Sequence, residues 1–178
     1  MSSSHLKIAV SKEDHFQGPD NAPLVLVEYG DYQCPHCGHA YPIVKRLQKA
    51  LGDQLKFVFR NFPLSEIHQD ALNAAKVAEA AASQGKFWEM HDMLFEKQLH
   101  LDVESLGNYA EKLGLDVEAL NEAVGKASVE NRVETDFEGG VRSGVNGTPT
   151  FFVNGVRYDG DWEYAPFLSA LKEVLGKV

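Results

Sequence analysis

The sequence predicts an α/β fold built from a β-α-β unit, a helical block and a closing β-β-α segment. The apolar, β-branched run PLVLVEYG is followed by a segment with helical spacing and then by the alternating run LKFVFRNFP. Residues 65–143 are rich in Ala, Leu, Glu and Lys, as is typical of helices. After this block, TFFV and VRYDG flank an Asn-Gly pair at 154–155, which favours a type I′ hairpin.

The β-α-β unit covers residues 24–63. Its helix is expected to begin at Cys34 and to end at Gly52, because glycine often terminates helices. Pro63 ends the second strand, and the two strands should be parallel with a right-handed crossover. One further strand is predicted before this unit, from LKIAV at residues 6–10 and a turn region at 18–23.

The helical block carries its own punctuation, and its apolar stripes predict packing rather than chemistry. Glycines that should separate helices, and residues that should cap their N-termini, are Gly85, Gly114 and Gly125, and Asp102, Asp116 and Ser128. A last helix is expected to open near Asp161 and to end near Leu175.

Composition and charge restrict the partners. The chain has 178 residues, 44% of them hydrophobic, which is enough for one unit with a substantial core. A net charge of −9 with scattered Lys and Arg argues against nucleic acid or a membrane surface as a partner. The start, MSSSHLKIAV, has no secretory signal pattern, which predicts a cytoplasmic location. A periplasmic location is expected instead if a signal has been removed.

Only two cysteines occur, Cys34 and Cys37, so they cannot staple distant segments together. They follow a predicted strand and open a helix, where free backbone N–H groups and the helix dipole favour a thiolate. Pro35 suits the first helical position because it has no N–H to leave unpaired. We therefore predict that Cys34 is an exposed, nucleophilic thiolate.

The neighbouring residues refine this prediction. A protonated His36 would place a positive charge beside Cys34 and make the disulfide form more oxidising. Cys37 lies one turn further into the helix, so it should be more buried, have the higher pKa and act as the resolving thiol.

Other interpretations of this pair stay open at this point. A structural zinc site needs about four ligands, and a helix would splay His36 and His39 around its axis. A metal-binding module, a glutathione-linked enzyme and two inert core cysteines are the alternatives to a redox dithiol. The remaining histidines are interpreted as surface or packing residues: His5, His15, His68, His91 and His100.

The combination of CPHC, Glu28 on the preceding strand, Pro42 in the following helix and GTPTFFVNG resembles the DsbA-type branch of the thioredoxin superfamily. The resemblance covers nearly the whole chain. It implies a thioredoxin-like fold in which a helical insertion separates the βαβ and ββα halves. The parts would be residues 1–63 with the dithiol, the insertion at 64–144, and 145–178 with a cis-proline loop.

The resemblance also implies roles at the site. Pro149 would form a cis peptide bond beside the dithiol, and Thr148 would present backbone groups to an extended substrate. Glu28 would be a buried carboxyl that relays protons to and from Cys37, the alternative being a surface carboxylate. Lys56 would either pair with Glu28 or lie solvated at an edge, and Pro42 would kink the helix.

Together these features predict a thiol:disulfide oxidoreductase, oxidising or isomerising, that exchanges disulfides through its dithiol. Its partners would be protein or peptide thiols and disulfides, with an unidentified redox partner. Neither a cofactor nor a metal is expected.

Overall fold

The computed structural model describes residues 4–178, so the first three residues of the predicted N-terminal part lie outside the described residues. The strands are β1 (His15–Gln17), β2 (Leu24–Gly30), β3 (Leu55–Asn61), β4 (Thr150–Val153) and β5 (Val156–Tyr158). The helices are α1 (Pro35–Leu51), α2 (Ala71–Ala82), α3 (Phe87–Glu96), α4 (Val103–Lys112), α5 (Val117–Val124), α6 (Ala127–Arg142) and α7 (Tyr164–Leu175).

The strands form one sheet in the order β1-β3-β2-β4-β5. β2 and β3 are parallel and joined through α1, which confirms the predicted β-α-β unit. The remaining neighbours pair antiparallel. Helices α2 to α6 lie between β3 and β4, in the segment predicted to be a helical insertion.

The predicted N-terminal strand at residues 6–10 is wrong. The strand that pairs with β3 is His15–Gln17, in the segment just before the expected turn. Within the expected segment, Leu6 and Val10 instead pack their side chains on the second face of the sheet. The Leu6 N–H donates to Gly155 O beside β5 at 2.8 Å. The apolar pattern of this segment reflects burial on a sheet face, and the chain pairs with β5 just before it, through an isolated bridge between His5 and Val156.

Helix α1 has the ends that the sequence predicts. Cys34 is its N-cap with extended backbone (φ −69°, ψ 122°), Pro35 occupies the first turn and Gly52 follows the last residue with φ 52°. Pro42 lies inside the helix, as expected. The buried side of α1 includes Cys37 and Leu47, so the second thiol faces the sheet.

The other helices largely follow the predicted punctuation. Asp102 and Asp116 cap α4 and α5 by accepting from the backbone N–H of Ser105 and Ala119. Ser128 is not a cap, because α6 starts at Ala127 with Lys126 as the preceding extended residue. The expected breaks Gly85, Gly114 and Gly125 lie between helices.

The β4–β5 hairpin turns at Asn154 and Gly155, which have φ of 46° and 82°. Positive φ at both positions is the requirement of a type I′ turn, so this prediction is confirmed. After the hairpin, the Asp161 carboxylate accepts from the Glu163 N–H at 2.8 Å, and Glu163 leads into α7.

The sheet buries both of its faces. Leu24 and Leu26 belong to the larger apolar cluster, which includes α1, whereas Val27 and Tyr29 belong to a second cluster on the opposite side. Because strand side chains alternate, Glu28 shares the α1 face with Leu24 and Leu26. Among the helices described, none combines the length and apolarity that crossing a membrane requires.

Candidate active site

Cys34 lies where β2 leads into α1, against the loop that precedes β4. Its Sγ is 3.5 Å from the carbonyl oxygen of Thr148. A hydrogen bond from the Cys37 thiol, helped by Thr148 and by the backbone N–H groups of Cys37 and His36, lowers the pKa of Cys34 to about 5. Cys34 is only 4% exposed, so the expectation of an openly exposed thiolate is wrong, because the Thr148 loop contacts it.

Cys37 occupies a different environment one turn into the helix. It is fully buried, and its Sγ accepts from the Asp31 N–H at 3.5 Å. Burial raises the pKa of Cys37 well above its ordinary value, and the hydrogen bond to Cys34 and the charge of Glu28 add to this. The two thiols are therefore unequal: Cys34 is poised to ionise and Cys37 to stay protonated.

Two histidines, His36 and His39, lie in the first turns of α1. The side chain of His36 is exposed, and its ring makes no hydrogen bond or ion pair with any residue from 4 to 178. His36 contributes to the low pKa of Cys34 through its backbone N–H. The His39 Nε2 contacts the Glu163 carboxylate at 2.7 Å. Within the described part of the chain, no three His, Cys, Asp or Glu side chains gather as metal ligands would.

Glu28 is buried beneath this helix, so the surface alternative is wrong. Its Oε1 has no hydrogen-bond partner among residues 4–178. Burial, with a smaller contribution from the charge of Cys34, raises the pKa of Glu28 to about 8. Lys56 does not pair with it. Lys56 is itself buried, and its Nζ contacts the Asp20 carboxylate at 2.5 Å and lies over the Phe16 ring.

The Thr148–Pro149 peptide bond is cis, which confirms that expectation. The Thr148 carbonyl faces Cys34, as described above. The Thr148 Oγ1 is buried and has no hydrogen-bond partner that meets normal geometry among the described residues, although it is close enough to help lower the pKa of Cys34. Thr150 anchors the loop by donating from Oγ1 to Gly147 O at 2.8 Å.

Asp31, in the loop between β2 and α1, is a site residue that sequence reasoning missed. Its buried carboxylate accepts from the backbone N–H of Gln33 at 2.7 Å and of Leu64 at 2.9 Å. His68 Nδ1 contacts the same carboxylate at 2.8 Å. The interpretation of His68 as only a surface or packing residue is therefore wrong. Asp31 ties the loop before the dithiol to the segment after β3.

Gln98 is the second residue that sequence reasoning missed. It lies in the turn after α3, and its Nε2 donates to the carbonyl oxygens of Tyr32 at 2.9 Å and Cys34 at 2.7 Å. These partners are more than sixty positions away in the sequence, so no local pattern signals the contact. The helical block was predicted to contribute packing alone.

Comparisons with known proteins show the family to which the chain belongs. A thioredoxin family model matches residues 10–173. A curated relative, Na(+)/H(+) antiporter NhaA 1 of Mycobacterium sp. (strain KMS), is 42% identical over 163 residues. The match covers 90% of this chain but 27% of that protein, so the chain spans about a quarter of its relative's length.

Two solved structures share the architecture. BdbD from Bacillus subtilis in its oxidised form superimposes with a TM-score of 0.83 and 28% identity, covering 98% of each chain. A thioredoxin-like oxidoreductase from Silicibacter pomeroyi DSS-3 gives a TM-score of 0.81 and 26% identity, covering 94% of this chain and 92% of that one. With the family match over most of its length, the CPHC helix start and the helices placed between β3 and β4, the chain belongs to the thioredoxin family.

Proposed function

We propose that this protein is a thiol:disulfide oxidoreductase that oxidises protein or peptide thiols through Cys34 and Cys37. The observation that carries the proposal is the inequality of the two thiols. The pKa of Cys34 is lowered to about 5, whereas that of Cys37 is raised. A thiolate stabilised in the reduced protein makes the corresponding disulfide a better oxidant.

The reaction begins with the Cys34–Cys37 disulfide form. A substrate thiolate attacks the Cys34 Sγ, a mixed disulfide forms, and the bond to Cys37 breaks with Cys37 taking the electron pair. A second substrate thiolate then attacks the substrate sulfur of the mixed disulfide and releases Cys34 as a thiolate. The substrate loses two electrons and two protons and gains a disulfide, and the dithiol is reduced. A second disulfide compound, such as oxidised glutathione, returns the dithiol to its starting form.

The surrounding residues suit these steps. Cys37 leaves as a thiolate in a buried place and needs a proton, and Glu28, with its pKa raised to about 8, holds one near neutral pH. The Thr148 carbonyl lies against Cys34 and is placed to accept a backbone hydrogen bond from an extended substrate. Pro35 and His36, which follow Cys34 in the chain, are exposed.

The direct test follows disulfide formation in reduced, unfolded ribonuclease A with oxidised glutathione present. The wild-type protein should accelerate recovery of active ribonuclease, and Cys34→Ala should abolish the acceleration. Cys37→Ala should keep the nucleophile but lack the resolving thiol, so it should accumulate a mixed disulfide with a substrate peptide that carries a single cysteine. Equal activity of wild type and Cys34→Ala, or no mixed disulfide with Cys37→Ala, would contradict the proposal.

A further inference from the structure

Gln98 joins the helical insertion to the first turn of α1. It lies in the turn between α3 and α4, fixed by hydrogen bonds from its own N–H to Phe95 O and from the His100 N–H to Lys97 O. From there its single Nε2 donates to both Tyr32 O and Cys34 O. One side chain therefore holds the backbone at both Tyr32 and Cys34.

The Cys34 carbonyl is the oxygen that opens the helix. It accepts the first helical hydrogen bond, from the Gly38 N–H at 3.0 Å, and the Gln98 amide is its second donor. The same turn directs the N–H groups of His36 and Cys37 at the Cys34 Sγ. Holding this carbonyl fixes the direction of those donors. The Gln98 amide also offsets the partial negative charge of the Cys34 carbonyl oxygen, which lies close to the thiolate.

Gly38 leaves the space that this contact needs. A methyl group at Gly38 would overlap the Gln98 Oε1 and lie 2.8 Å from Cδ, so the amide rests on the bare Cα. The overlapping atoms are the end of a flexible side chain. Alanine at this position should therefore displace Gln98. The helix should stay intact, because alanine forms helices more readily than glycine.

We propose that Gln98 is a positioning residue through which the helical insertion controls how readily the Cys34–Cys37 disulfide is reduced. The inference rests on the proposed redox function but concerns a different residue and a different readout. Gln98 does not contact a reacting sulfur. It acts through the backbone of Tyr32 and Cys34, and it makes the disulfide more oxidising.

The test measures two quantities in wild type and variants: the pKa of Cys34, from thiolate absorbance in the reduced protein, and the equilibrium constant with glutathione. Gln98→Ala should raise the pKa and make the disulfide harder to reduce, by roughly threefold to tenfold, since one unit of pKa corresponds to about tenfold. Gln98→Glu keeps the side-chain length but replaces the donor by a carboxylate, so it should shift both quantities further in the same direction.

Gly38 and Gln84 supply the controls. Gly38→Ala should reproduce the effect of Gln98→Ala, and the double variant should show no more than either single change, because both break one contact. Gln84 makes a similar pair of bonds, to the backbone O and N–H of Asp116, but it joins the segment after α2 to the start of α5. Gln84→Ala should leave both quantities unchanged.

The results distinguish failure of the proposed redox function from failure of the proposed role of Gln98. If wild type forms no disulfide that equilibrates with glutathione, the proposed function fails. If wild type equilibrates normally but folded Gln98→Ala and Gly38→Ala keep the wild-type pKa and constant, the function stands and the role of Gln98 is overturned. Additive effects in the double variant would likewise contradict a shared contact.

Discussion

On one face of the sheet Arg60 donates two hydrogen bonds to the Asp14 carboxylate, at 2.8 and 3.0 Å. On the α1 face, Glu28 keeps an oxygen that has no hydrogen-bond partner among residues 4–178. Arg60 also donates to Tyr29 OH and Ile8 O, so the buried cation is well satisfied. Both carboxyls are buried, and only their partners differ.

The consequence for protonation is opposite on the two faces. Burial alone would raise the pKa of Asp14, but the hydrogen bond and charge of Arg60 hold it below its ordinary value. Burial, with a smaller contribution from the charge of Cys34, raises the pKa of Glu28. The Arg60–Asp14 pair thus stabilises the folded protein. The buried Glu28 carboxyl lowers stability when it ionises, but it keeps a proton near Cys37.

The largest effect is expected from breaking the paired face. Arg60→Met should lower the free energy of unfolding by about 3 to 5 kcal/mol, because it removes both hydrogen bonds to the buried Asp14 carboxylate and leaves it with the more distant Arg132, 3.8 Å away. Urea denaturation of the reduced protein measures this. The double change Asp14→Asn with Arg60→Met should recover much of the loss, and the pKa of Cys34 should stay at its wild-type value. A loss below about 1 kcal/mol would contradict the contrast between the faces.

The next largest effect on stability is expected at Glu28. Folding raises the pKa of Glu28 from 4.5 to about 8. The protonated carboxyl therefore contributes stability that is fully present below about pH 4.5 and is lost as the pH rises through about 8. Glu28→Gln should therefore increase the free energy of unfolding by about 3 kcal/mol at pH 7 and change little at pH 4. It should also slow disulfide exchange.

Glu79 provides the matched control for this measurement. It is a buried glutamate, but it is hydrogen-bonded to His15 and to the Asn61 amide. Glu79→Gln should give no comparable gain at pH 7. Equal gains from both variants would mean that burial, and not the missing partner, decides the cost.

The smallest effect is expected from the thiolate itself. The pKa of Cys34 falls from 9.0 to about 5 on folding, so the reduced protein gains stability that is present at high pH and lost as the pH falls through about 5. Cys34→Ser should destabilise the reduced protein by about 1 to 2 kcal/mol at pH 7, allowing for solvent screening, and by less at pH 4. A pH-independent difference in urea denaturation would argue against a stabilised thiolate.

What could be predicted from the sequence depended on how local the signal was. Pro35 after Cys34, the helix-ending Gly52 and the Asn154–Gly155 turn each act within a few residues, and these predictions are confirmed. The burial of Glu28 and the cis bond before Pro149 were expected from family resemblance. The roles of Asp31, His68 and Gln98 depend on contacts across 37 to 66 positions. Such contacts arise only when the helical insertion folds against α1.

Both outer strands of the sheet, β1 and β5, are three residues long. β5 is further covered, because the Leu6 N–H donates to Gly155 O and the Arg157 N–H donates to Ser4 O. Under the proposed function the protein binds unfolded chains, which can aggregate by pairing with an unpaired edge strand of a sheet. Short and covered edges deny them that template. A client chain can therefore be held at the Thr148 loop for chemistry and released without recruiting its carrier into a growing β-aggregate.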